Sequence, residues 1–277
     1  AVHGTQLHIW QSKLCHNAEN SEQDARGLVH GDDFLLLADD DGLEHMNKLL
    51  SSKYKVKMLA KIGPDEGDDR EGSFLNRVIR YFPEERGEEE RVEIEADSRH
   101  AELIVKSLGL QNAKSVETPA IKRSLAEVQA TEAEEALNPK EATTFRSGVM
   151  RSAYLSMDRT DICEAVKSLS SAMKNPKPGD MVRLKRPGRY LLGKPLAARV
   201  FKRQTFPSKI SMSGDSDWAG ELVSRKSTSG IIAMFGRHLI SGKSNLQSTI
   251  AMSSCEAEFY AMTKATATGL FLRAILE

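Results

Sequence analysis

Two hydrophobic periods alternate along this chain, and each predicts its elements. Leu28 and Val29, then Phe34 to Ala38, form two apolar arms around Gly31-Asp32-Asp33, which predicts a β-hairpin with acids at its tip. Leu43, Met46, Leu49 and Leu50 recur at helical spacing behind Asp39-Asp40-Asp41, predicting a helix over about 41–53 with acids at its start. Residues 53–57 alternate like a short strand, 63–72 form an acidic loop, and 73–82 with 91–95 read as a second hairpin closed by a charged turn. Ala101, Ile104, Val105 and Leu108 share a helical face ending at Gly109, a glycine suited to the C-cap. Residues 1–27 are polar and weakly patterned.

The period then fades. Residues 111–140 are rich in Glu, Ala and Lys between Pro119 and Pro139, and predict a linker with one transient helix. A helical pair follows over 141–174, split near Asp158 to Asp161, with Ile162, Val166 and Leu169 on one face. Basic stretches at 174–177 and 183–189 are broken by Pro176, Pro178 and Pro187. From Lys209 the pattern turns to strands, at Ile210/Met212, 230–235, 238–240 and 246–252, before a closing helix over about 254–276. No internal repeat is present.

Composition narrows the function classes. The 277 residues carry 39 Lys plus Arg against 39 Asp plus Glu, so any nucleic-acid partner must be met by local clusters. A hydrophobic share of 40% with 6% aromatics and 28% charge predicts a well-solvated, thin core. Cys15, Cys163 and Cys255 fit neither a zinc spacing nor a disulfide framework, which favours a reducing compartment. No apolar run reaches the ~18 residues of a membrane span, and no signal-peptide pattern opens the chain. The first residue is Ala1, which reads as a fragment or a piece of a polyprotein.

The candidate chemistry lies in carboxylates. Asp32 and Asp33 at the hairpin tip are either turn residues or metal ligands, and the apolar flanks seat that tip against a core. Asp215 and Asp217 are two apart, so strand alternation puts them on one side. Ser253-Ser254-Cys255-Glu256 spells a capping box, which gives Glu256 a structural task. Glu258 lines up with Met262, Ala265, Gly269 and Leu272, and an inward carboxylate needs a partner or a metal. Arg225-Lys226-Ser227-Thr228-Ser229-Gly230 is either a hairpin turn or a phosphate-backbone contact. The histidines show no ligand spacing, and no phosphate loop or nucleophile elbow is present.

Three blocks, Asp215-Ser216-Asp217-Trp218-Ala219-Gly220, Arg225 to Gly230 and Ser253-Ser254-Cys255-Glu256-Ala257-Glu258-Phe259-Tyr260-Ala261, resemble in order and spacing the ribonuclease H region of Copia-type retrotransposon polyproteins. Tyr154-Leu155, Arg159-Thr160-Asp161-Ile162, Asn175-Pro176 and Arg189-Tyr190-Leu191 resemble its connection segment, Thr118-Pro119 the end of its thumb, and His30-Gly31-Asp32-Asp33 the metal motif of reverse transcriptases. The likeness spans about 28–277.

The resemblance implies an α+β or α/β fold. The end of a reverse-transcriptase palm and its thumb would fill 1–110, then a linker over 111–140, a connection segment over 141–206 and a truncated ribonuclease H-like mixed sheet with a helix over 207–277. It implies RNA-directed DNA synthesis and hydrolysis of RNA–DNA hybrids, with magnesium, or manganese in its place, held by Asp32, Asp33, Asp215 and Glu258. Template-primer or hybrid contacts would fall on Arg225, Lys226, Ser227, Lys185 and Arg186. The partners would be nucleic acid and the rest of the polyprotein, without a membrane, in a cytoplasmic virus-like particle or the nucleus. The family's third palm carboxylate belongs well upstream of Asp32 and its remaining ribonuclease H acids beyond the last helix. Both active sites are therefore expected to be incomplete, and the isolated chain inactive. Other departures are His30-Gly31, Gly242, and Pro187, the last in a segment the family keeps helical. The rival expectations are a non-catalytic hybrid-binding module, using Lys174, Lys177, Arg183, Lys185, Arg186, Arg189 and Lys194, and an inert relic.

Overall fold

The structure is a computed structural model that describes residues 5–11, 25–85 and 87–276, and of residues 5–11 the backbone alone. Cys15 lies outside the described residues. The fold is mixed α/β with several antiparallel sheet pairings, arranged in two compact units.

The first unit takes the residues up to Ala96 together with Ala198–Ser208 and Gly236–His238. The expected hairpin forms from β2 (Arg26–His30) and β3 (Asp33–Ala38), with His30 opposite Asp33 across a two-residue turn. Gly31 sits there at φ 60°, and glycine first in such a turn matches the twist of the two strands. That gives the departure at His30-Gly31 a local cause. The sequence rhythm missed β1 (Thr5–Gln11), which runs parallel to both β3 and β4 (Val56–Ile62) in a sheet ordered β2-β3-β1-β4. Strand β4 is also longer and later than the alternation at 53–57 suggests. Helix α1 (Asp40–Lys53) starts on Asp39, whose carboxylate accepts from the Gly42 N–H at 2.8 Å.

The stretch 73–82, expected as one arm, is broken into β5 (Glu71–Phe74) and β6 (Arg77–Phe82). Leu75 and Asn76 turn the chain at φ 49° and 63°, which adds a hairpin ahead of the expected one; the latter forms between residues 77–82 and 91–95, with Phe82 opposite Arg91. With β7 (Arg91–Glu95) and β8 (Ala198–Lys202) they make a second, antiparallel sheet ordered β5-β6-β7-β8. Ile62, Phe74, Ile79, Tyr81 and Val92 form its core. Glu90, which reads as part of a charged turn, is buried. It accepts from the Tyr81 hydroxyl at 2.7 Å and from the Arg203 guanidinium at 2.8 Å. Burial, reinforced by Glu90, pushes the Tyr81 hydroxyl's pKa well up.

The second unit holds the helices. Helix α2 (Ser98–Ser107) is capped by Asp97 and ends as expected at Gly109, φ 65°. Within the stretch read as a linker lies α3 (Leu125–Glu132), closed by a Ser124/Glu127 capping box and anchored by buried Val128. Helix α4 (Pro139–Leu155), a 3₁₀ turn at Thr160–Ile162 and α5 (Cys163–Ser170) supply the expected helical pair. Of the basic, proline-marked residues that follow, 175–177 are not helical and 178–193 form one helix, α6 (Pro178–Gly193). Pro178 sits where a missing N–H costs nothing, but Pro187 is internal and removes one helical hydrogen bond. Packing overrides that cost. Pro187 and Gly188 are buried, and a Cβ on Gly188 would stand 2.6 Å from Leu110. Phe145, Val149, Leu169 and Leu184 form the core beneath.

A three-stranded sheet ordered β11-β10-β9 completes the unit, from β9 (Ile210–Asp217), β10 (Thr228–Phe235) and β11 (His238–Leu246). Strand β11 is one piece, where the pattern suggests strands at 238–240 and 246–252. Helix α7 (Ser254–Leu276) lies on β9 through buried Ala257, Ala261 and Ala265. Gly214 permits this close approach, since a Cβ there would meet the Ala261 carbonyl at 3.2 Å.

Candidate functional site

The three blocks that stand out in the sequence close on one another in space. Thr228 pairs with Asp217 across β9 and β10, and the Thr228 N–H donates to the Asp217 carboxylate. Between them the chain turns through Ala219 and Arg225, at φ 53° and 59°. The Ala219 N–H donates to the Ser227 hydroxyl at 2.9 Å, and Ser227 is fully buried. Gln247 ties this turn to the helix. Its backbone N–H donates to the Ser227 carbonyl at 2.8 Å, and its side-chain amide donates to the Ser229 hydroxyl at 3.0 Å and the Ala257 carbonyl at 2.9 Å. The Trp218 indole N–H donates to the Ala251 carbonyl at 3.1 Å. Small hydroxyls fit here because they satisfy buried backbone groups without bulk. The residue the pattern misses is Gln247, because a lone glutamine in a polar stretch carries no spacing signal.

Each candidate acid now has a place. Asp215 and Asp217 fall on one side of β9, as alternation expects, and both line a cleft in the second unit. Glu258 accepts from the Ser216 hydroxyl at 3.0 Å and the Ser216 N–H at 3.3 Å. Ser216 is on the α7 side of β9 with Gly214, so Glu258 meets the sheet on the face opposite Asp215. Glu256 caps α7, accepting from the Met252 N–H at 2.7 Å and the Tyr260 hydroxyl at 2.8 Å; these bonds, the backbone one first, lower its pKa. The Glu256 N–H donates to the Ser253 hydroxyl at 3.1 Å, completing the cap. In the first unit Asp32 is exposed in the turn and Asp33, half-buried, opens β3.

All four expected metal ligands are hard oxygen donors suited to magnesium. Among the described residues, no group of three or more His, Cys, Asp and Glu side chains is arranged to hold a metal.

The cleft is about 1680 Å³, larger than the roughly 300–1,000 Å³ of an ordinary small-molecule pocket. Lys122, Arg123, Arg183, Lys185, Arg186 and Arg189 line it, with Trp218, 53% exposed, at its edge. Of the expected nucleic-acid contacts, Lys185 and Arg186 therefore border the cleft, and Arg225 is exposed on the turn beside half-buried Lys226. Ser227 is a correction. Its hydroxyl is enclosed and engaged with Ala219, so it supports the turn and presents nothing to a phosphate.

Arg159, Asp161 and Tyr190 also meet. Arg159 is buried and donates to Asp161 at 2.7 Å and to the Lys194 carbonyl at 2.9 Å, while the Tyr190 hydroxyl donates to Asp161 at 2.8 Å. Desolvation works against the Asp161 carboxylate, but the bonds from Arg159 and Tyr190 outweigh it and lower its pKa.

Known proteins resemble this chain over part of its length. The chain is 30% identical over 169 residues to the uncharacterised mitochondrial protein AtMg00810 of Arabidopsis thaliana, covering 60% of this chain and 67% of that protein. It is 37% identical over 117 residues to the retrovirus-related Pol polyprotein from transposon RE1 of the same plant, covering 42% of this chain and 8% of that polyprotein. The chain belongs to the Copia-type retrotransposon Pol family. A further relative of this Pol chain is the secreted RxLR effector protein 161 of Plasmopara viticola, 36% identical over 114 residues, with 41% of this chain and 80% of that protein covered. The chain thus spans most of two short relatives but a small part of a full Pol polyprotein. No family model matches it, and no solved structure matches it.

Proposed function

We propose that this chain is the part of a Copia-type Pol polyprotein running from the end of the reverse-transcriptase palm into the ribonuclease H region. Its own role would be to hold nucleic acid without reacting it. In this reading 1–110 is palm and thumb, 111–140 a connecting segment, 141–206 the connection and 207–277 the ribonuclease H-like part. What carries the reading is the joining of the three sequence blocks into one hydrogen-bonded corner on β9, β10 and α7, beside a cleft rimmed by cations. In the whole polyprotein, magnesium would supply charge stabilisation for phosphodiester exchange, and Asp32, Asp33, Asp215 and Glu258 would be this chain's share of its ligands. Glu258 also holds Ser216 of β9 against α7, and the neighbouring Asp217 binds the start of β10. The site of action would be a virus-like particle or the nucleus.

Primer-extension and hybrid-cleavage assays in magnesium are the test of non-catalysis. Background rates, unchanged by Asp32→Asn or Asp215→Asn, are expected. Robust turnover abolished by either substitution would overturn the reading.

The binding arm rests on the cleft. Cations along its wall can follow a phosphate backbone, and the half-exposed Trp218 ring can stack on a base. This requires affinity that falls steeply with salt.

A further inference from the structure

We propose that Arg123, Arg183 and Arg186 form a phosphate-oxyanion site on the wall of the cleft. This deepens the nucleic-acid reading by naming a contact point, and rests on that reading only for the claim that the oxyanion belongs to a polymer.

The case begins with charge placement. Arg123 follows Pro119–Lys122 along the cleft, and Arg183 and Arg186 are one turn apart on α6. Arg183 is partly neutralised, donating to Asp180 at 2.8 Å and to the Ser168 hydroxyl at 2.6 Å. Arg123 has no such partner: among the described residues no carboxylate closes an ion pair on it, and Asp180, Glu127 and Glu132 act on it only at a distance. Burial, and then the like charge of Arg183, lower the Arg123 pKa, the signature of a cation short of counter-charge. Arg186 spends one amino group on the Thr118 hydroxyl at 2.8 Å, while its Nε–H is buried with no partner.

Half-buried guanidiniums that line one cleft, with the charge of Arg183 acting on Arg123, are unfavourable unless something anionic completes them. Their fork geometry suits a tetrahedral oxyanion with several acceptor oxygens better than a lone carboxylate. Phosphate is the chemistry that meets both conditions. Its source is either a backbone phosphodiester or a free phosphate, and the two are separable by experiment.

The test uses the full chain and two probes: inorganic phosphate, at ionic strength matched with chloride, and a fluorescein-labelled RNA–DNA hybrid. Phosphate at ten times its dissociation constant is expected to raise Tm by about 3 °C. In Arg123→Gln that rise should vanish, while Tm without phosphate should stay level or increase because the Arg183 repulsion is relieved. Hybrid affinity should fall about tenfold in Arg123→Gln and be partly restored in Arg123→Lys. An undiminished phosphate response in both Arg123→Gln and Arg186→Gln overturns the site. If phosphate has no effect and the hybrid binds wild type and variants equally, the site falls and the nucleic-acid reading stands. Phosphate stabilisation lost in Arg123→Gln, with no hybrid binding at all, supports the site and removes the polymer.

Discussion

Arg159, Asp161 and Tyr190 show how much a single side chain can hold in this protein. Arg159 is 3% exposed and would leave the Asp161 and Lys194 acceptors unpaired if truncated. Arg159→Ala should therefore cost about 3 kcal/mol of unfolding free energy, read from urea titrations. The partner gives a pH dependence of definite sign. The folded pKa of Asp161 is below its ordinary 3.8, so its stabilisation is present above that value and is lost as pH falls through the lower folded value. Asp161→Asn should flatten the acid limb of a Tm-against-pH curve below pH 4 and leave the neutral region parallel to wild type. At this scale the sequence is only partly legible. Glu256 reads as a helix cap from its spacing and is one. Glu90 reads as a solvated turn acid, because nothing in a run of glutamates marks which one Tyr81 and Arg203 will enclose. Ser227 reads as open to ligand, because a small hydroxyl looks the same whether it faces a phosphate or an amide.

At the scale of elements, local signals succeed where the cause is local. The β2–β3 hairpin, α1, α2 with its Gly109 stop, and α7 all follow from period and capping. They fail where partners are distant. Strand β1 is fixed by β3 and β4 on either side, and β8 by β7, so neither needs a strong alternation of its own. Helix α6 fails in the other direction. Three prolines suggest an interrupted stretch, yet its buried face of Leu184, Gly188 and Leu191 keeps it helical through Pro187. That leaves strain to recover. Pro187→Ala restores a donor in mid-helix at the price of a small loss of packing, and should raise stability by about 1–2 kcal/mol in chemical denaturation, part of the roughly 3 kcal/mol an internal proline costs. A loss of stability would mean that buried Pro187 contributes more by its packing than it costs the helix.

On the whole-molecule scale, the likeness to Copia-type Pol was legible because its blocks build a structural corner, and structure constrains residues at fixed spacing. The hydrogen-bond partners of the candidate acids were less legible. A carboxylate two residues from another looks the same whether it reaches a metal or a neighbouring amide, as Asp217 does. Alternation placed Asp215 and Asp217 together correctly, but no spacing rule reveals that Glu258 reaches β9 from the opposite face. The molecule combines a hydrogen-bonded corner on β9, β10 and α7 with a cleft lined by cations. The most direct measurement is anisotropy of a labelled RNA–DNA hybrid across a salt series in magnesium, with the duplex from each point run on a denaturing gel. The expected result is binding whose log affinity falls linearly with log salt, over an intact duplex. Absent or salt-independent binding, or strand cleavage that disappears in Asp215→Asn, would contradict it.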